Sequence, residues 1–132
     1  MFKIMWIDPI VSKEASQKIS EIISNIKRPD VEATAVYVKE KGPPHVEYHF
    51  YEHLNLHGTF RWVRRAEKEG YDAVVIGCFY DPGLREAREL VRIPVIGPAE
   101  TCMHIAATLG HKFSVLVGRR KWIPKMESNV YM

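Results

Sequence analysis

Cysteine, long apolar runs and net charge are all scarce in this chain. Its 132 residues include two cysteines, Cys78 and Cys102. Two thiols in a chain of this size make no disulfide framework, so a reducing, cytoplasmic setting is expected. No apolar run approaches the roughly 20 residues that cross a bilayer. The opening run Phe2–Ile7 is stopped by Asp8-Pro9, too early for a signal peptide. No membrane partner is expected. The net charge of +3 is small, and the basic residues are scattered outside Arg119-Arg120-Lys121. No nucleic-acid partner is therefore expected either.

Catalytic signatures are also missing. The chain has neither of the glycine-rich phosphate cradles, G-x-G-x-x-G and G-x-x-x-x-G-K-[ST], and no serine nucleophile elbow. His45, His49, His53 and His57 recur every four residues without forming H-E-x-x-H. His49 and His53 would share a helix face, a geometry that suits a metal pair. No third ligand accompanies them, so a polar face or pocket lining is the reading and no metal is expected.

What is present is an ordinary soluble composition, 46% hydrophobic and 27% charged, sized for one domain. Residues 3–7 read as a buried strand. Ser12 can cap a helix over 13–27, with Ala15, Ile19, Ile22, Ile23 and Ile26 at helical spacing, stopped by Arg28-Pro29-Asp30. Val31–Val38 is β-branched and alternating, a second strand. A loop around Gly42-Pro43-Pro44 leads to a helical stretch over about 48–69, with a break expected at Gly58. Strands at 73–76, 94–96 and 113–117 are separated by helices over about 83–91 and 99–109. The tail 121–132 starts another helix. This alternation predicts an α/β fold, an open parallel sheet flanked by helices in a doubly wound, flavodoxin-like lobe that occupies residues 1–132.

The stretch Ala73-Val-Val-Ile-Gly-Cys78 focuses the functional reading. A buried strand ends at Gly77, and Cys78 stands where it stops. Asp81-Pro82-Gly83 is a helix opening in which Asp81 is placed to cap and Pro82 to take the first turn. A thiol before a helix N-terminus is expected to be acidified, and the thiolate is the reactive form. Sites in such sheets lie at the carboxyl ends of strands. Asp8, Cys78 with its neighbour Phe79, Gly97 to Glu100 with Thr101, and Gly118-Arg119 all fall there. Arg119-Arg120 suits a forked grip on a substrate carboxylate, and solvated turn charges account for the pair equally well. Cys102, in the first turn of its helix, reads as a small core or pocket-edge residue, with a two-thiol pairing to Cys78 as the sharper option.

Gly77-Cys-Phe-Tyr-Asp-Pro-Gly83, Ile93-Pro-Val-Ile-Gly97, His104-Ile-Ala-Ala-Thr-Leu-Gly110 and Phe113-Ser-Val-Leu-Val117 resemble the aspartate/glutamate/hydantoin racemase family, its hydantoin racemase branch above all. The resemblance covers essentially the whole chain. It implies one lobe of a two-lobed, cofactor-independent and metal-independent isomerase with its site between the lobes. It implies a small hydantoin-like or amino-acid-like substrate. It further implies two cysteines flanking the substrate α-carbon, one as thiolate removing the proton and one as thiol returning it. Cys78 matches the first-lobe cysteine; Cys102 does not match the second. Asp8-Pro9-Ile10-Val11 stands where many hydantoin racemases have an Asn-Pro-Asn-Thr turn.

Family members are much longer, so the chain reads as a first lobe, with about 119–132 opening a helix that leads toward a second lobe. Trp122, Ile123, Met126 and Val130 are expected to be exposed there and to drive homo-oligomerisation. Three functional readings stand: a racemase lobe using Cys78, with Asp8, Phe79, Glu100, Thr101, Gly118 and Arg119 contributing to the substrate pocket; a non-catalytic small-molecule-binding or interaction module; and a related decarboxylase or cis-trans isomerase.

Overall fold

In a computed structural model, which describes residues 1–131, four strands form one parallel sheet. They are β1 (Phe2–Asp8), β2 (Val31–Tyr37), β3 (Ala73–Ile76) and β4 (Val95–Ile96), in the order β2-β1-β3-β4. The three crossovers run through α1 (Lys13–Ile26), α2 (His49–Lys68) and α3 (Leu84–Leu90). Strand order runs outward from β1 to β2, then returns past β1 to β3 and β4. Right-handed crossovers put α1 on one face and α2 with α3 on the other. Then come α4 (Pro98–Leu109), a 3-10 turn at Arg120–Trp122 and α5 (Ile123–Val130). This is the open parallel sheet flanked by helices that the alternation predicts.

The period of two in the strands selects the core. Met5 and Ile7 of β1 and Val74 and Ile76 of β3 are buried with Val95 of β4. Val63 and Ala66 of α2 and Leu84 and Ala87 of α3 pack over them. Ser12 caps α1 as its position suggests, its hydroxyl accepting the Ala15 N–H at 3.2 Å. Helix α2 runs unbroken through Gly58, where a side chain would press on Val38 and Glu40. The expected break there is absent; the glycine serves close packing instead of a bend.

Three other expectations are corrected. Ile22 and Ile26 of α1 are 52% and 75% exposed, so only part of that apolar stripe reaches the sheet. Phe113–Val117 has no regular secondary structure and joins no strand of the sheet. With only two residues, β4 offers little ladder beside it. Val115 and Val117 pack instead with Tyr80 against Ala99, Met103 and Met126, a second cluster apart from the sheet. The tail does not leave all its apolar residues in water. Trp122 and Met126 are buried at 3% exposure because α5 folds back onto the lobe, while Ile123 and Val130 stay exposed.

This division between a packed face and a thinly covered one is measurable. Met5→Ala is expected to destabilise the fold by about 2–5 kcal/mol, and Ile22→Ala by about 0.5 kcal/mol or less. Urea unfolding of the two variants checks the contrast.

Candidate active site

The strand order reverses between β1 and β3, and the carboxyl ends of both strands meet there. Asp8 ends β1. Its Oδ1 accepts the Trp6 indole N–H at 2.8 Å, while its Oδ2 is buried without a hydrogen-bond partner among the described residues. Burial pushes this carboxyl above the usual range, against the pull of Trp6 and the nearby Ser16 hydroxyl. The Trp6 ring lies so close to Gly77 that any β-carbon there would collide with the indole nitrogen and come within 2.9 Å of Asp8 Oδ1. Gly77 is therefore needed for close approach, and the hydrogen-bonded Asp8–Trp6 pair packs against the residue before Cys78.

Cys78 follows in a tight turn. Its N–H donates to Ile76 O at 2.8 Å and its carbonyl accepts the Asp81 N–H at 3.0 Å. The thiol is partly buried and reduced. Burial pushes its pKa up to about 11 from an ordinary 9.0. The Tyr80 backbone N–H pulls the other way, the Glu52 and Asp81 carboxylates add to the rise, and Lys125 offsets a little. The expected acidification by a helix start is thus outweighed. The first helical residue after Cys78 is Leu84, and a helix dipole fades within a turn.

Asp81 caps a different helix from the one expected. Its Oδ1 accepts the Ala99 N–H at 2.9 Å and its Oδ2 the Glu100 N–H at 2.7 Å, so it caps α4. Its φ is +50°, a left-handed conformation that aspartate tolerates better than most side chains. Its carboxyl is raised by desolvation in spite of both donors.

The other sequence-derived residues separate into groups. Gly118 and Arg119 line a shallow pocket of about 240 Å³ with Val46, Glu47, Tyr80 and Trp122. Arg119 is held there by Glu47 at 2.8 Å. Phe79, 41% exposed, faces a separate groove beside Cys102. Glu100 is gripped by the Arg88 guanidinium, which holds its carboxyl below the usual range, and lines a third cleft with Asp81, His104 and Lys125. Thr101 is exposed and lines none of these clefts.

Several neighbours of the site escaped the sequence reading. Glu52 of α2 is 7% exposed and pairs with Lys125 of α5 at 2.6 Å, across 73 positions. Tyr80 stacks on Trp122 with ring centres 4.0 Å apart, and Asn129 donates to Tyr80 O at 3.1 Å. Asn55 donates to both Pro9 O and Pro43 O at 3.0 Å, tying the loops after β1 and β2 together. Only the alternation of polar and apolar residues on α2 hinted at an inward Glu52, and nothing local pointed to its partner. Among the described residues no three His, Cys, Asp or Glu side chains are placed to share a metal. His49 lies 3.5 Å from Glu52, and its ring sits 5.6 Å from that of Trp122.

A thiol at the switch point of an open parallel sheet flanked by helices defines the class as α/β, with the carboxyl ends of the strands as the candidate site. The chain belongs to the Asp/Glu/hydantoin racemase family, whose profile matches residues 4–131. It is 36% identical over 114 residues to a hydantoin racemase of Pseudomonas sp. (strain NS671), covering 86% of this chain and 45% of that one. A hydantoin racemase of Paenarthrobacter aurescens is 32% identical, with 81% and 47% covered. An allantoin racemase from Klebsiella pneumoniae superposes with a TM-score of 0.91 at 31% identity, over 99% of this chain and 53% of that one. The chain thus spans about half the length of the relatives it matches. Among the described residues no helix is long and apolar enough to cross a membrane.

Two measurements follow. Alkylation of Cys78 by iodoacetamide is expected to rise with a midpoint near pH 11, not 9. The folded thiol holds its proton where an unfolded one has released it, so stability falls as pH climbs between those values. Asp81→Ala is expected to cost about 2 kcal/mol through the lost cap on α4 and the strained backbone, read by thermal unfolding.

Proposed function

We propose that this chain is one lobe of a racemase acting on a hydantoin-like or amino-acid-like small molecule, and that Cys78 carries the proton at the substrate α-carbon. Family membership supports the reaction class. The observation that supports the residue is the position of Cys78 just past the end of β3, beside β1 at the sheet's switch point and two residues before Tyr80, which lines the pocket with Arg119. An α-proton next to a carbonyl is a weak acid, so base and acid must be held close and the enolate stabilised. In a hydantoin the ring carbonyls spread that charge.

Cys78 enters the cycle in its protonated form, since burial holds the thiol together. Its natural step is to return a proton, with the Tyr80 N–H favouring the thiolate left behind. Arg119, once released from Glu47, meets a carboxylate or ring oxygen, and the Gly118 backbone leaves room for it. Asp8 acts as a positioning residue, through Trp6 and Gly77. Phe79 closes the opposite side of the loop. Glu100 and Thr101 stand further out in this scheme, Glu100 as the partner of Arg88. In this reading residues 1–131 form a single lobe, a small molecule is its ligand, and the working form is a homo-oligomer.

A second reading, a lobe that binds such a molecule without turning it over, is favoured by the same protonated thiol. One experiment separates the two. Exchange of the α-proton of L-5-benzylhydantoin in heavy water, above the enzyme-free rate, is expected for the wild type and lost at least 100-fold in Cys78→Ala. Equal exchange by that variant removes Cys78 from the chemistry, and binding without exchange by either protein establishes the binding module.

A further inference from the structure

Helix α5 and the residue before it present one face to the lobe. Trp122, Lys125, Met126 and Asn129 recur at the spacing i, i+3, i+4 and i+7, a single helical stripe. Each makes a different contact. Met126 clusters with Ala99 and Met103 of α4. The Lys125 ammonium lies 2.6 Å from the buried Glu52 carboxylate of α2. The buried Trp122 lies flat on the Tyr80 ring, with planes 13° apart and centres 4.0 Å apart. Asn129, half-buried, donates its side-chain N–H to Tyr80 O at 3.1 Å. The Met126 and Lys125 contacts seat the helix on α4 and α2. The Trp122 and Asn129 contacts converge on one residue of the loop after β3.

That residue stands two positions beyond Cys78. The Cys78 carbonyl accepts the Asp81 N–H at 3.0 Å and closes a four-residue turn. The first side chain of such a turn is placed to meet the N–H two residues on, as in Asx turns. Here the pairing sets the Cys78 sulfur beside the Tyr80 N–H, which favours the thiolate. The charged groups that act on the sulfur give it less. Glu52 of α2 and Asp81 of the turn oppose a thiolate, and Lys125 of α5 is shared with Glu52. The aim of the Tyr80 N–H depends on how Tyr80 itself is held. Its ring and its carbonyl are both held by the α5 stripe.

We propose that this stripe positions Cys78: Asn129 and Trp122 fix Tyr80 so that its N–H stays aimed at the sulfur, and the Lys125–Glu52 pair anchors the helix that carries them. This rests on the reading that Cys78 carries the substrate proton. A sulfur in that role passes between thiol and thiolate, and a donor held in place beforehand stabilises the charged form without reorganisation. Asn129, Trp122 and Lys125 are positioning residues, since they act on the sulfur through Tyr80.

Two measurements test it, on Asn129→Ala and on Asn129→Leu, which keeps the shape of the side chain and removes its donor. The first follows alkylation by iodoacetamide in a Cys102→Ser background, where Cys78 is the one thiol left. At about pH 9, below the midpoint of Cys78, the rate is expected to fall at least about threefold in both variants, with an unchanged far-UV spectrum. A merely structural contact predicts the reverse, because a loosened loop exposes the sulfur and relieves the burial that holds its proton. An unchanged or faster rate overturns the proposal. The second follows α-proton exchange of L-5-benzylhydantoin in heavy water. There kcat is expected to fall about tenfold while KM stays within about twofold. An unchanged kcat overturns the proposal. Absence of exchange in the wild type refutes the racemase reading instead, and the alkylation rates alone then decide whether the stripe positions the thiol.

Discussion

The Asp81 carboxylate ties the loop after β3 to the start of α4. Two N–H groups at the start of α4 have no partner within their own helix, and Asp81 accepts both. A cap of this kind is worth about 1 kcal/mol, but its larger effect is geometric. It fixes the turn that begins at Cys78 against Gly97, where a β-carbon would come 2.6 Å from the Asp81 carboxyl. With the turn clamped, Phe79 and Tyr80 face different clefts, one beside α4 and the other against Trp122. The loop after β3, α4 and the folded-back tail are therefore joined by hydrogen bonds and packing into one unit.

The electrostatics of that unit run against the simplest view of a reactive cysteine. Helix starts favour thiolates only within about a turn, and the capped helix nearest Cys78 has already spent its donors on Asp81. Glu52 and Asp81 add negative potential, and Lys125, paired with Glu52, gives little back. Desolvation is then decisive, and the resting group is a thiol. A protonated sulfur suits the acid half of a proton-transfer cycle. The base half requires a change in its surroundings, through substrate, partner or both.

Two apolar clusters divide the lobe. The first lies between the sheet and the α2–α3 layer and contains most of the buried side chains. The second, around Met103 and Met126, joins α4, α5 and the Val115–Val117 stretch without any strand of the sheet. The second cluster seats the tail against α4, and among the described residues the Phe113–Val117 backbone makes no backbone hydrogen bond.

Most of the fold was legible in the sequence because its signals are local. Period-two and helical patterns marked β1 to β3 and α1 to α4 within a residue or two, the Ser12 cap was visible, and the Gly-Cys-Phe motif marked the loop after β3. The misreadings share one cause, since each depended on what a residue meets far along the chain. Phe113–Val117 has a strand's composition, but a two-residue β4 and the pull of Met103 and Met126 kept it out of the sheet. Trp122 was read as exposed until Tyr80, 42 positions earlier, stacked on it. Asp81 sits before α3 in sequence and caps α4 in space. The sequence by itself determined the order of elements, the sheet's parallel sense and the place of Cys78, because backbone propensity and side-chain spacing act between near neighbours. The protonation of that cysteine, the Glu52–Lys125 pair and the open backbone at 111–118 were decided only by tertiary packing, because burial and charge act through space between residues that the chain order keeps apart.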